Sequence, residues 1–323
     1  MIKTENIFEA SGQCSYRDAQ NQQNLNESKM NVLITGGAGF IGSHIVQQLH
    51  EHAEVRVLDN LASGFRPNLA GFRHEFIAGS ILDRACVARA MEGVELVFHL
   101  AAMVSVPESV QNPEACAEIN THGTRLVLEA AARAGVRKLA FSSSAAVYGN
   151  NPTVPKVEMM MPEPISPYGA TKLEGEQLCE QFTRAGRLDT VCLRYFNVFG
   201  PRQNPRSQYA AAVPAFIERA LRNEPILIHG DGDQTRDFVP VATVAAANIF
   251  LAGQSGAITI NALAEAIRRL AGSRSEIIHV AARAGDVKHS VADIRRLRAA
   301  GFSGQRDFTE VLQATVAHFR ADG

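Results

Sequence analysis

The feature that most narrows what this chain can fold into is a run of glycines set between a strand and a helix. Residues 31 to 35, Asn-Val-Leu-Ile-Thr, read as a short buried strand. Gly36-Gly37-Ala38-Gly39-Phe40-Ile41-Gly42 follows at once, and Ser43 to Leu49 continues with helical character. A pyrophosphate needs this order. Residues without Cβ let it approach the backbone, and the unpaired N–H groups and positive dipole end of a helix face it. The glycines fit G-x-G-x-x-G from Gly37 and G-x-x-G-x-x-G from Gly36. A second strand, Glu54 to Leu58, ends at Asp59, seventeen residues past Gly42, close to where an acid takes ribose hydroxyls. A carboxylate there repels a 2′-phosphate, so the dinucleotide reads as NAD rather than NADP.

Beyond Asp59 strand and helix keep alternating. His74 to Ala78, Leu96 to Leu100, Lys138 to Ser142 and Thr190 to Arg194 read as extended; Asp83 to Met91, Pro113 to Ala134 and Leu173 to Arg184 read as helical. Such alternation implies an α/β fold, a doubly wound parallel sheet with helices on both faces. Ligands bind beyond the carboxyl ends of such strands, where Gly36, Asp59, Ala101, Ser144 and Phe196 fall. From about Gly200 the prolines Pro201, Pro205, Pro214, Pro225 and Pro240 break the chain into short pieces. The expected organisation is a disordered polar tail over 1–29, a dinucleotide-binding domain over 30–199, and a smaller irregular α/β substrate domain over 200–323, with chain segments crossing between the two.

Composition removes several classes of function. With 46% hydrophobic residues, 20% charged and a net charge of -1, the chain has no basic bias toward nucleic acid or an anionic membrane. Cys14, Cys86, Cys116, Cys179 and Cys192 show no C-x-x-C spacing and no histidine partner, so neither a disulfide framework nor a metal site is expected, and the compartment reads as reducing and cytoplasmic. No apolar run approaches the roughly 20 residues of a membrane span, and the N-terminus lacks the apolar core of a signal peptide.

The chemistry sits in mid-chain. Tyr168 and Lys172 lie four apart at the start of a helix, so both project from one face. A phenol of pKa near ~10 works as a base at neutral pH only if its anion is stabilised, and a nearby ammonium together with a positive nicotinamide would do that. A tyrosine and a lysine at this spacing recur by accident. The run Ser142-Ser143-Ser144 at the end of the preceding strand adds a hydroxyl that could bond a substrate alcohol and relay its proton.

Six segments in order carry a resemblance: the glycine run through Ser43, then Phe98-His99-Leu100-Ala101-Ala102, Ser142-Ser143-Ser144-Ala145-Ala146-Val147-Tyr148-Gly149, Ser166-Pro167-Tyr168-Gly169-Ala170-Thr171-Lys172, Leu193-Arg194-Tyr195-Phe196-Asn197 and Gly230-Asp231-Gly232-Asp233-Gln234-Thr235-Arg236-Asp237-Phe238. From about Met30 to the C-terminus the chain resembles the extended short-chain dehydrogenase/reductases, and within them the NAD-dependent UDP-hexose 4-epimerases. The resemblance implies a tightly held NAD, catalysis by Ser144, Tyr168 and Lys172 through a 4-keto sugar, and a homodimer formed through the helices 113 to 134 and 167 to 184. It implies cofactor contacts from Gly36, Gly39, Phe40, Ile41, Gly42, Asp59, Asn60, Ser63, Gly64, Ser80, Ile81, Leu100, Ala101, Ala102, Asn120, Ser142, Tyr168, Lys172 and Phe196. It implies substrate contacts from Ser144, Asn197, Val213, Leu227, His229, Arg236, Arg283 and Ser290, with His229 where a ring stacks on uracil and Arg236 and Arg283 at the diphosphate.

Differences from the family refine this picture. Relatives that dehydrate carry an acidic pair right after the active-site hydroxyl; here those positions are Ala145 and Ala146, so proton removal and expulsion of water have no evident agent. The decarboxylating relatives' glutamate is missing from the same region. Ser290, seven past Arg283, stands where a bulky tyrosine can crowd the sugar's 2-substituent, so room for an N-acetyl group is expected. Ser80 replaces an aspartate that meets the adenine, and Ala284 a proline. Between Ala252 and Ile258 the chain looks about twenty residues short of its relatives, which suggests a lost strand and an exposed sheet edge. Two other functions share these motifs: a dehydrogenase or reductase with exchangeable NAD, and a non-catalytic NAD sensor.

Overall fold

In the computed structural model the described residues are 29–204, 212–250, 256–259, 267–268, 271–280, 289–290 and 308–321. Residues 1–28 of the expected polar tail and Arg283 lie outside them. Six strands form the first sheet: β1 (Asn31–Thr35), β2 (Glu54–Asp59), β3 (Glu75–Ala78), β4 (Leu96–His99), β5 (Lys138–Ser144) and β6 (Asp189–Tyr195). Their order is β3-β2-β1-β4-β5-β6, every pairing parallel. The strand order reverses between β1 and β4, and that switch point opens a crevice at the carboxyl ends.

Alternation along β1 builds the two cores. Leu33 faces a cluster with Val87, Val127, Phe141 and Leu178, whereas Val32 and Ile34 face another with Ile45, Val46 and Ala245. The first face is covered by α2 (Arg84–Ala90), α5 (Gly123–Ala134) and α6 (Pro167–Arg184), the second by α1 (Phe40–Leu49) and α8 (Val241–Phe250). Each fully buried Leu, Ile, Val or Phe contributes about 1.5–3 kcal/mol.

The span 113 to 134, expected as one helix, is α4 (Pro113–Ala117), a π-helical turn at Glu118–His122, and α5. Before it lies α3 (Val106–Gln111), which the alternation of apolar residues did not reveal. Its signal was there: the Ser105 hydroxyl accepts from the Glu108 N–H, the S-x-x-E pattern of a helix start. α6 begins six residues earlier than its apolar periodicity suggests, because Ser166 caps it by accepting from the Gly169 N–H and Pro167 fits its first turn.

A second sheet begins at β7 (Asn197–Phe199), so the chain leaves the first sheet at Phe196. β9 (Thr235–Pro240) is its centre, paired with β7, with β10 (Gly256–Thr259) and with β12 (His289–Ser290). A parallel pair, β8 (Ile226–His229) and β11 (Ile277–Val280), and the helices α7 (Ala212–Leu221) and Phe308–Ala321 enclose a third core around Phe199, Phe216, Ile217, Ile226 and Leu312. β10 covers one side of β9, running antiparallel to it with Gly256 opposite Phe238, and is itself the end strand of that sheet among the described residues. Between these two regions α8 crosses back onto α1, where the Gln48 amide donates to the Ala242 carbonyl at 3.0 Å.

Candidate active site

The glycine turn is as tight as its sequence demands. Gly36 sits at φ +70, and a Cβ there would lie 2.7 Å from the Ala101 nitrogen; a Cβ on Gly42 would lie 2.4 Å from the Gly36 carbonyl oxygen. The Asp59 carboxylate accepts from the Ala38 N–H at 2.9 Å and the Leu61 N–H at 2.8 Å, which ties the end of β2 to the glycine turn. Gly64 passes so close to Ala38 that a Cβ would sit 2.9 Å from its carbonyl carbon. Gly36, Gly39, Gly42, Asp59, Gly64 and Ala101 are thus brought together at one end of the sheet. Asn60 and Ser63 stand exposed on the loop that follows Asp59, and Asn60 accepts from the Ala62 N–H.

Beneath this cradle is a polar chain that sequence reasoning missed. The Thr35 hydroxyl meets His99 Nδ1 at 2.7 Å, His99 Nε2 meets the Thr124 hydroxyl at 2.9 Å, and the Ala101 N–H donates to the Thr35 oxygen at 3.3 Å. Burial, helped by the charge of Lys172, holds the His99 imidazole down at about 3, so the ring is neutral. The available signal was a histidine ending the apolar strand Leu96–His99.

The catalytic candidates meet across the ends of β5 and α6. The Ser144 hydroxyl accepts from the Ala146 N–H at 3.1 Å and lies near enough to the Tyr168 phenol to favour its anion. Lys172 Nζ donates to the Ser142 carbonyl at 2.8 Å and stands 5.8 Å from the centre of the Tyr168 ring. α6 presses close to the sheet: a Cβ on Gly175 would lie 2.4 Å from the Phe141 ring, and one on Gly169 2.9 Å from the Ala146 carbonyl oxygen. The Tyr168 N–H is held by the Ser109 hydroxyl at 3.1 Å.

Burial pushes the Tyr168 phenol above its ordinary value, and the Ser144 hydroxyl pulls the other way without overcoming it. The chain alone therefore does not lower this pKa, and the expected stabilisation by the ammonium included a bound nicotinamide. Burial brings Lys172 down to about 8, and the nearby Cys116 and Cys179 thiols offset only part of that effect.

Four of the residues expected at the cofactor or substrate are buried and have partners within the chain. Asn120 is buried, donates to the Met103 carbonyl and Thr171 hydroxyl and accepts from the Met103 N–H, so it pins the loop after Ala101. Ile81 packs beneath Gly123 in the first core, and Val213 is 1% exposed in the third. The Ser142 hydroxyl faces the Tyr195 phenol at 2.9 Å, and that phenol donates to Asn248 of α8 at 2.7 Å. With the Tyr195 proton committed to Asn248, Ser142 is the donor of its own bond. Ser80 accepts from the Leu82 N–H at 3.1 Å within its own turn.

Of the remaining positions, Phe40, Ile41, Leu100, Ala102, Phe196 and Asn197 are half-buried around the crevice. Asn197 donates to the Asp237 carbonyl at 3.4 Å. Leu227 and His229 share the outer face of β8, opposite the buried Ile226 and Ile228. Ser290 is the register partner of Arg236.

Residues 32–262 match the family model described as the NAD dependent epimerase/dehydratase family. The UDP-glucose 4-epimerase of Mycolicibacterium smegmatis is 36% identical over 310 residues, 90% of this chain and 99% of that protein. A UDP-N-acetylglucosamine 4-epimerase from Methanobrevibacter ruminantium, solved with UDP-N-acetylmuramic acid, is 39% identical with a TM-score of 0.87, covering 92% of this chain and all of that one. The UDP-glucose 4-epimerase of Thermotoga maritima, solved with UDP-glucose, is also 39% identical with a TM-score of 0.87, over 91% of this chain and 99% of that one.

Proposed function

Because this chain belongs to the NAD dependent epimerase/dehydratase family, we propose that it interconverts the C4 epimers of a UDP-hexose, UDP-N-acetylglucosamine and UDP-N-acetylgalactosamine among them. The observation that carries the reading is the meeting of Ser144, Tyr168 and Lys172 beside a cradle that a single Cβ would fill. That cradle fits NAD, with Gly36, Gly39 and Gly42 at the pyrophosphate and Asp59 at the adenosine ribose. When bound, NAD supplies reversible hydride acceptance at the sugar C4.

The chain's own part is proton handling and positioning. Ser144 takes a hydrogen bond from the C4 hydroxyl and passes its proton to Tyr168, which gives it back when the 4-keto sugar is reduced on its other face. Tyr168 begins with a raised pKa, so positive charge must arrive before it works as a base. The Lys172 ammonium supplies part of that charge and the bound cofactor the rest. Asn197, Leu227, His229, Arg236 and Arg283 hold the sugar nucleotide in this reading, the outer face of β8 offering Leu227 and His229 to the base. Ser290 leaves room for the 2-N-acetyl group. Ala145 and Ala146 place methyl groups where dehydration would need acids.

No helix among the described residues is long and apolar enough to cross a membrane. The free cysteines Cys86, Cys116, Cys179 and Cys192 support a reducing, cytoplasmic setting, and the reading includes a homodimer. The test is to incubate purified protein with UDP-N-acetylglucosamine, without added NAD, and resolve the sugar nucleotides by chromatography. Appearance of UDP-N-acetylgalactosamine is expected. Turnover of UDP-glucose with none of the N-acetylated sugar would sink the reading of Ser290, and no turnover of either, with NAD added, would sink the epimerase.

A further inference from the structure

One partly buried ion pair lies outside the catalytic roles assigned above. Glu176 is on α6, four residues beyond Lys172 and eight beyond Tyr168, hence on the same side of the helix. Arg194 of β6 reaches it with a two-pronged grip, Nε to Oε1 at 2.8 Å and Nη2 to Oε2 at 2.7 Å, the side chains only 16% and 13% exposed. The Ser143 hydroxyl donates to the same carboxylate, and Ser143 is the register partner of Arg194 across β5 and β6. The Arg194 guanidinium also lies over the Tyr148 ring, 4.8 Å from its centre, at the end of the short helical turn that follows Ser144.

The pair therefore holds the chain on both sides of Ser144, at Ser143 before it and Tyr148 after it, and fastens that stretch to the helix bearing Tyr168 and Lys172. We infer that the Glu176–Arg194 ion pair is a positioning device that sets the distance between Ser144 and Tyr168. The inference rests on the catalytic reading given above for those two residues. Partial burial suits this use of an ion pair: the pair as a whole adds little net stability, yet loss of one partner leaves a charge that must find a new place, so the local geometry shifts.

The experiment compares wild-type holoenzyme with Glu176→Gln, Arg194→Lys and Ser143→Ala, measuring kcat and KM per bound NAD, NAD content and the thermal midpoint. Glu176→Gln is expected to lower kcat at least about tenfold with KM within about twofold, the signature of a misplaced proton relay rather than lost binding. Arg194→Lys, which keeps the charge but not the fork, should fall between that variant and wild type. Ser143→Ala, the mildest change, should lose about threefold in kcat and decides the matter if the charge variants fail to fold. A second readout needs no turnover: the ionisation of Tyr168, taken as the difference in near-ultraviolet titration between each protein and its Tyr168→Phe counterpart, should move upward in Glu176→Gln as the Ser144 hydroxyl moves away from it. Unchanged kcat per bound NAD and unchanged phenol ionisation, whatever the thermal midpoint does, would overturn the inference. A wild-type protein that turns over no UDP-sugar would fail the catalytic reading instead, and the titration would still judge the positioning role.

Discussion

At the scale of single residues the site is defined by where protons can go. Tyr168 has a hydroxyl neighbour suited to a relay, Ser144, and the ammonium of Lys172 above its ring face. Tyr168→Phe should lower kcat by about 10²–10⁴ while leaving NAD content unchanged, measured by turnover and by release of nucleotide on denaturation. Lys172 gives a pH dependence of definite sign. Its pKa is brought down to about 8, so the ammonium is present below that value and lost as pH rises through it. Activity should fall on the alkaline side of about pH 8, and that limb should vanish from the residual activity of Lys172→Met. The tyrosine, the lysine and the serine were legible in the sequence because spacing and strand ends place them. The burial of Asn120, Ile81, Val213 and the Ser142 hydroxyl was not, because it depends on which distant segment covers a side chain: Met103, Gly123, the third core and α8 respectively.

At the scale of elements, the glycine turn couples β1 to α1 through contacts that leave no room for a side chain. Gly42→Ala would bring a Cβ to 2.4 Å from the Gly36 carbonyl oxygen, so the turn must open. NAD content of the purified variant should fall below a tenth of wild type, taking about tenfold per 1.4 kcal/mol of lost binding. Gly71→Ala is the control: φ there is +81 but nothing lies within 4 Å, so the change should cost about 1 kcal/mol of stability and leave NAD content as it was. The strand and glycine pattern was readable because it is local. The π-helical turn at Glu118–His122 was not, since no residue type marks the one extra residue; Asn120 within it reaches Met103 and Thr171. The short C-terminal stretch suggested a missing strand; β10 supplies the pairing to β9 from residues the sequence left unassigned.

At the scale of the whole molecule, two buried histidines make the fold sensitive to acid. His99 lies under the glycine turn, and His44 joins α1 to the Pro201 carbonyl at 3.0 Å, beside Arg202. Burial brings both to about 3 in the folded chain against 6.5 in an unfolded one. The unfolded state therefore binds more protons between those values, and stability should decline as pH falls from about 6.5 toward 3. Denaturant midpoints measured across that window should drop with acid, and less steeply in His99→Gln. The same scale carries the proposed chemistry, in which the cradle holds the dinucleotide, the outer face of β8 meets the base, and Ser144 and Tyr168 stand at the sugar's C4. The most direct test is to supply UDP-glucose carrying deuterium at C4, in ordinary water, and analyse the UDP-galactose formed. If hydride leaves C4 and returns to it on the enzyme, the product keeps its deuterium at C4. Replacement of that deuterium by solvent hydrogen would mean that C4 is inverted by some other chemistry and would contradict the account.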